Sequence, residues 1–215
     1  GKRIAFGDGK RIVWSAQSKQ IFRNNPNIAP PGSEGAADIQ WIQHYRGNRL
    51  YARAVRGRWV FNDFDCPPGE VFLTREEQTA ALRMLWPSTS DPIVIVEPRV
   101  KAMGACVGAN KQWPLDRYRE LTRHLDRRGL RVVQLVPSDM QQLLDVEGIR
   151  TPSFRHALAL MGLAHLYIGP EGGLHHGAAA METPAVVIFG GFSSPRSTGY
   201  PWHENLSVGA PCGTI

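Results

Sequence analysis

The chain has 215 residues, 42% of them hydrophobic and 20% charged, which is the composition of an ordinary folded globular protein long enough to bury a core. No run approaches the ~18 apolar residues a membrane-spanning helix needs, and the opening GKRIAFGDGK lacks the apolar core of a secretory signal. Formal net charge is +6 and the pI about 9.5, an excess spread over both halves that suits anionic partners (lipid headgroups, phosphorylated glycans, nucleic acid) as well as a plain solvated Arg-rich surface.

Residues 3–6 (RIAF) and 11–14 (RIVW) are short apolar runs around Gly7-Asp8-Gly9, which predicts a strand followed by a turn or hairpin. Residues 21–35, rich in Asn, Pro and Gly, read mostly as loop. The aromatic and basic segment 39–63 has poor periodicity and predicts short strands and turns. Within it Arg46, Arg49, Arg53, Arg56 and Arg58 alternate with Tyr45, Tyr51 and Trp59, a pattern that fits an anionic acceptor or the solvated face of strands. Pro67-Pro68-Gly69 marks a boundary. Thr74-Arg75-Glu76-Glu77 then has capping-box spacing and predicts a helix running to about Trp86, stopped by Pro87.

From Pro92 the pattern changes to regular alternation. Residues 93–96 (IVIV) form a continuous apolar run, the mark of a strand covered on both faces. A glycine-containing loop follows, with Lys101, Gly104 and Gly108, that either folds over a ligand or only connects. Pro114 is placed as a first helical residue, and Leu115, Tyr118, Leu121 and Leu125 give that helix its apolar face, ending at Gly129. Strand 132–136, a short helix over 139–145, a polar connection, helix 154–164 and strand 166–168 come next. Then Gly172 and Gly173 open a small-residue helix over 174–181, followed by strand 185–189 and the pair Gly190-Gly191. The order predicts an α/β fold with a parallel, doubly wound sheet.

A strand that opens through glycines into a helix is suited to a phosphate-bearing ligand, because glycines let backbone N–H groups approach and the helix N-terminus carries unpaired donors. His175 and His176 fall in the first turn of that helix. They make a poor metal pair, since adjacent helical positions diverge by about 100°. Cys66, Cys106 and Cys212 lack CxxC spacing and are odd in number, which fits a reducing compartment and argues against a disulfide framework or a zinc site.

Two further motifs complete a resemblance. Asn110-Lys111-Gln112-Trp113-Pro114 opens the helix after the 93–96 strand. Glu171-Gly172-Gly173-Leu174-His175-His176 is followed by Ala178 to Ala180 and a strand ending in Phe-Gly. With EVFLTREE and IFRNNPNI, these motifs resemble the ADP-heptose lipopolysaccharide heptosyltransferase family of glycosyltransferases, closely over about 70–210 and loosely over 1–65. The resemblance implies a GT-B architecture of two Rossmann-like halves. It assigns 1–90 to a reduced or truncated N-terminal, acceptor-side α/β domain and 91–215 to a C-terminal domain binding a nucleotide sugar. It implies an inverting transfer from a nucleotide-diphosphate sugar to a glycan or glycolipid hydroxyl, with no obligatory metal and no cofactor. The setting it implies is cytoplasmic, peripheral to the inner membrane face.

Its donor-binding candidates here are Lys111, Glu171, Gly172, Gly173, His175 and His176, with Ser138 and Asp139 after the second strand as weaker ones. Glu171 and Gly172 stand where the family usually carries Asp and Thr. The family's Asp base follows its first strand and precedes a long helix, for which the run 11–14 leaves no room. RIAF therefore reads as a later strand, the chain as a piece of a longer one, and Asp8 as a turn aspartate and only a weak catalytic candidate. The competing readings are a nucleotide-sugar epimerase or hydrolase, and a non-catalytic module binding nucleotide or nucleic acid.

Overall fold

The computed structural model describes residues 1–42, 52–56, 58–65, 67–86, 90–100 and 110–207. A parallel pair, β1 (Arg3–Phe6) and β2 (Ile39–Ile42), is joined through helix α1 (Ala16–Phe22). Arg3 clamps the register by donating through Nε and Nη2 to Asp38, at 2.6 and 2.9 Å. Ala5, Ile12 and Ala29 are its buried centre, with Trp14, Ile39 and Trp41 packed around them. The expected strand at 11–14 is corrected: Ile12 makes one isolated bridge to Gly7, and Ser15 caps α1 from its hydroxyl three residues later. A helix does follow the Gly-Asp turn. β3 (Ala52–Val55) and β4 (Arg58–Phe61) form an antiparallel hairpin, as the segment's composition predicts.

Among the described residues the main sheet has six parallel strands in the order β10-β9-β8-β5-β6-β7. They are β5 (Ile93–Val96), β6 (Arg131–Pro137), β7 (Glu147–Thr151), β8 (Leu166–Pro170), β9 (Ala185–Phe189) and β10 (Glu204–Ser207). One face packs on α3 (Leu115–Asp126): Val94, Val96, Val132 and Ile168 surround buried Tyr118. The other face carries Ile95, Val133, Leu135, Tyr167, Val187 and Phe189 beneath α2 (Arg75–Met84), α4 (Phe154–Met161) and α5 (Gly173–Ala180). Alternate strand residues thus serve opposite cores, which is why β5, β8 and β9 are apolar throughout. α2 has the full capping box: Thr74 Oγ1 accepts from Glu77 N at 3.2 Å and Glu77 Oε2 accepts from Thr74 N at 2.8 Å.

Three elements depart from expectation. Residues 139–145 are not a helix. Buried Gln134 accepts from Leu143 N and Leu144 N at 3.0 and 2.9 Å, so those amides are taken by a strand side chain instead of a helical carbonyl. The polar connection contains β7, which among the described residues is an edge strand paired only with β6 and is tied to it by the Arg131–Glu147 ion pair at 2.7 Å. Among the described residues β10 pairs only with β9, at the opposite edge, after a short helix α6 (Pro195–Thr198). Pro114 sits at the N-cap of α3 with ψ of 133°, one position earlier than expected. Pro87 lies outside the described residues.

Candidate active site at the strand ends

The strand order decides where a ligand fits. From β5 the chain adds β6 and β7 on one side, then returns to add β8, β9 and β10 on the other. The helix after β5 lies on one face of the sheet and the helix after β8 on the other. The two loops therefore part above adjacent strands, and the crevice between them is where open α/β sheets bind ligands.

Lys111 reaches this crevice from the β5 loop and Glu171 from the β8 turn. Their side chains form an ion pair and are only 15% and 12% exposed. The position of Lys111 is enforced by the glycine pair that follows β9. Gly191 N donates to Asn110 O at 2.5 Å, and a Cβ at Gly190 would collide with that carbonyl and lie 2.7 Å from Lys111 Cα. Gly190 is therefore there for close approach. The Lys111 ammonium also stands 5.0 Å from the centre of the Phe192 ring, which Phe61 of β4 covers edge-on at 5.6 Å.

Gly172 and Gly173 behave differently. Gly172 is the N-cap of α5 with φ 162°, extended backbone open to any residue, and a Cβ there would meet nothing within 4 Å. A Cβ at Gly173 would only touch Phe154 at 4.0 Å. The fold itself does not require these glycines. Among the described residues no side chain caps α5, nor α3 with its Pro114, whereas Ser15, Thr74 and Ser153 cap α1, α2 and α4. The bare N–H groups and clear space suit an anion drawn against the backbone. Gly172→Ala is accordingly expected to leave the unfolding free energy, measured by urea denaturation, within about 0.5 kcal/mol of wild type. A calorimetric titration with ADP or UDP should nonetheless show affinity falling by about tenfold or more, because the methyl occupies the anion's space. Wild-type affinity in that variant would return the glycines to chance.

His175 is fully buried, with neither ring nitrogen hydrogen-bonded among the described residues. Burial pushes its pKa down to about 2, helped by His176, His203 and Lys111, so the ring is neutral. His176 is partly exposed, and its Nδ1 lies 2.9 Å from the Tyr200 hydroxyl. Burial and the Lys111 charge lower its pKa, opposed by Glu171.

The sequence candidates thus separate. Lys111, Glu171, Gly172, Gly173, His175 and His176 gather around one crevice. Ser138 and Asp139 are exposed after β6, and among the described residues no hydrogen bond or ion pair joins them to that group. Asp8 is exposed and serves its own turn, accepting from Lys10 N and Arg11 N at 2.8 and 2.7 Å, which holds its carboxyl below the usual range. Arg53 and Arg56 are exposed on the β3–β4 hairpin. Arg46, Arg49, Tyr45, Tyr51, Lys101, Gly104, Gly108 and all three cysteines lie outside the described residues.

Sequence reasoning missed Tyr200, His203 and Phe192, which come from the loops after β9 and reach the site only through tertiary packing. It also missed Glu97, 5% exposed at the end of β5, whose carboxyl burial pushes up although Arg99 donates to it through its backbone N and Nη1. A charge that costly to bury is the signal a strand end reading IVIVEPR carried.

Residues 63–210 match the model of glycosyltransferase family 9 (heptosyltransferase). The chain belongs to that family. Among solved structures, it is similar to the glycosyl transferase family 9 protein of Veillonella parvula DSM 2008, at 17% identity and a TM-score of 0.54, over 69% of this chain and 44% of that one. It is also similar to ADP-heptose LPS heptosyltransferase II of E. coli, at 21% identity and a TM-score of 0.49, over 65% of this chain and 45% of that one. The family 9 chain spans less than half the length of either protein, and the first of these likenesses supports the GT-B-like α/β fold. No curated protein sequence matches it. No helix among the described residues is long and apolar enough to cross a membrane.

Proposed function

We propose that the crevice binds a nucleotide-diphosphate sugar, and that the protein transfers this sugar, with inversion, to a hydroxyl of a glycan or glycolipid acceptor. The observation that carries the reading is Lys111 facing an uncapped, glycine-opened helix N-terminus across a topological switch point. The acceptor oxygen attacks the anomeric carbon as the bond to the β-phosphate oxygen breaks, and the acceptor proton passes to a base on the side of residues 1–90. The leaving diphosphate gains charge, and preorganised N–H donors with a nearby ammonium stabilise that charge in the transition state. Glu171 would repel a phosphate; its part is to accept hydrogen bonds from sugar or ribose hydroxyls once the diphosphate has drawn Lys111 away.

The division at about residue 90 belongs to this reading, with the nucleotide sugar on the side of residues 91–215. The exposed Arg53 and Arg56 sit on a hairpin held beside the crevice. Phe61 packs on Phe192, Ser197 Oγ donates to Asn62 O at 2.6 Å, and Phe64 N donates to Arg196 O at 2.9 Å. That placement suits an anionic acceptor presented from a membrane surface, and so a cytoplasmic enzyme peripheral to the inner face.

The test is calorimetry with ADP- and UDP-linked sugars. Binding in the range of about 1 µM to 1 mM is expected for one of them. Absence of binding by either would sink the reading. Release of free sugar without an acceptor would redirect it to a hydrolase.

A further inference from the structure

We propose that Tyr200 is the positioning residue of the donor site, its hydroxyl donating to Nδ1 of His176 so that the ring proton resides on Nε2 and faces the donor's phosphate oxygens. The inference rests on the nucleotide-diphosphate reading of the crevice and adds a residue which the motifs there do not contain.

Tyr200 is 2% exposed and lies between α6 and β10, 24 positions after the histidine it meets. Its ring is set edge-on against His175 at 5.1 Å and His203 at 5.4 Å, and is tilted against Trp202 at 5.2 Å. Its carbonyl accepts from Asn205 Nδ2 at 2.9 Å. The phenol is therefore fixed from several sides, and its oxygen reaches His176 Nδ1 at 2.9 Å.

A neutral imidazole has one nitrogen that accepts and one that donates. The unprotonated nitrogen is a stronger acceptor than a phenol oxygen, so the phenol donates to it and the proton stays on the far nitrogen. No other hydrogen bond to the His176 ring occurs among the described residues, and the residue is partly exposed, within electrostatic reach of Lys111 and Glu171. The charged and titratable groups facing it are Lys111 and Glu171 across the crevice, with His175 on its own helix and His203 and Tyr200 from the loop before β10. The two neighbouring histidines are themselves driven toward neutrality by burial. An uncharged N–H donor beside Lys111 can follow a phosphate oxygen without adding a further cation to bury.

Tyr200→Phe keeps the ring packing and removes only the hydroxyl. With histidine ring nitrogens labelled by ¹⁵N, the free wild-type protein should show His176 as the Nε2–H tautomer, its signal assigned by its loss in His176→Gln. In Tyr200→Phe the tautomers should mix and the titration midpoint of His176 should rise, because the bond that favoured the neutral form is gone. Affinity for ADP or UDP, whichever the wild type binds, should fall roughly fivefold, the weight of one neutral hydrogen bond. An unchanged nitrogen spectrum overturns the proposal, and so does a changed spectrum with unchanged affinity. If the wild type binds neither nucleotide, the reading of the crevice fails, while the spectrum of the free protein still decides whether Tyr200 sets the His176 tautomer.

Discussion

Arg155→Ala is expected to destabilise the chain by about 3–5 kcal/mol, the cost of breaking a buried ion pair from one side. Arg155 is 3% exposed in the first turn of α4. Its Nε and Nη2 donate to both oxygens of Glu77 at 2.6 and 2.8 Å, Nη1 donates to Gln20 O at 2.8 Å, and Nη2 also donates to Phe72 O at 2.5 Å. One side chain thereby joins α1, the segment before α2, α2 itself and α4. Alanine would leave the Glu77 carboxylate only its Thr74 N–H, and would remove this donor from the carbonyls of Gln20 and Phe72, in a partly buried place. Lysine would not restore them, because a single ammonium cannot reproduce the planar fork that meets Glu77 at two points. The loss should appear as a melting temperature lower by on the order of 10 °C. A decrease below ~1 kcal/mol would mean that these contacts are replaced by water at little cost.

The same pair sets an acid limit. Arg155 holds the Glu77 carboxyl down at about 2, aided by the Thr74 backbone N–H and opposed by burial. A carboxyl lowered on folding stabilises the fold fully above its unfolded value and loses that stabilisation as pH falls through its folded one. The contribution should therefore be intact at neutral pH and fade between about pH 4.5 and 2. Urea midpoints of wild type and Arg155→Ala should accordingly converge as the solution is acidified.

Nothing in the linear chain announced that cluster. Arg155 stands in a helix in which Ala157 through Met161 are buried and apolar, and its three partners arrive from residues 20, 72 and 77. What could be read were features with local causes. The four central strands are apolar because both faces are covered, and the Thr74–Glu77 box lies within one helical turn. β7 and β10 escaped because edge strands bury less and keep polar residues, as in EGIRT and ENLS. The false helix at 139–145 had the right composition but lost its amides to Gln134, a partner visible only after the sheet forms. The site divided along the same line. Lys111, Glu171 and the histidine pair belong to contiguous motifs, whereas Tyr200 and Phe192 become part of the crevice only by packing.

Lys111→Ala is expected to lower kcat/KM for sugar transfer by about 10²–10³, the usual cost of removing one preorganised group that stabilises transition-state charge. Two losses combine in it. The cation that meets the leaving diphosphate is removed, and Glu171, only 12% exposed, is left facing that diphosphate with no countercharge. The second loss can be separated from the first. Glu171→Gln releases Lys111 and removes the repulsion, so affinity for the nucleoside diphosphate should be retained or increase. Turnover of the intact nucleotide sugar should fall, because the acceptor of the sugar hydroxyls is weakened. Adding Glu171→Gln to Lys111→Ala should then recover part of the lost diphosphate affinity, with a coupling of roughly 0.5–3 kcal/mol between the two positions. The order of diphosphate affinity should run Glu171→Gln at or above wild type, then the double variant, then Lys111→Ala. If the double variant binds no better than Lys111→Ala, Glu171 does not oppose the diphosphate, and the exchange of Lys111 from carboxylate to phosphate is not how the donor enters.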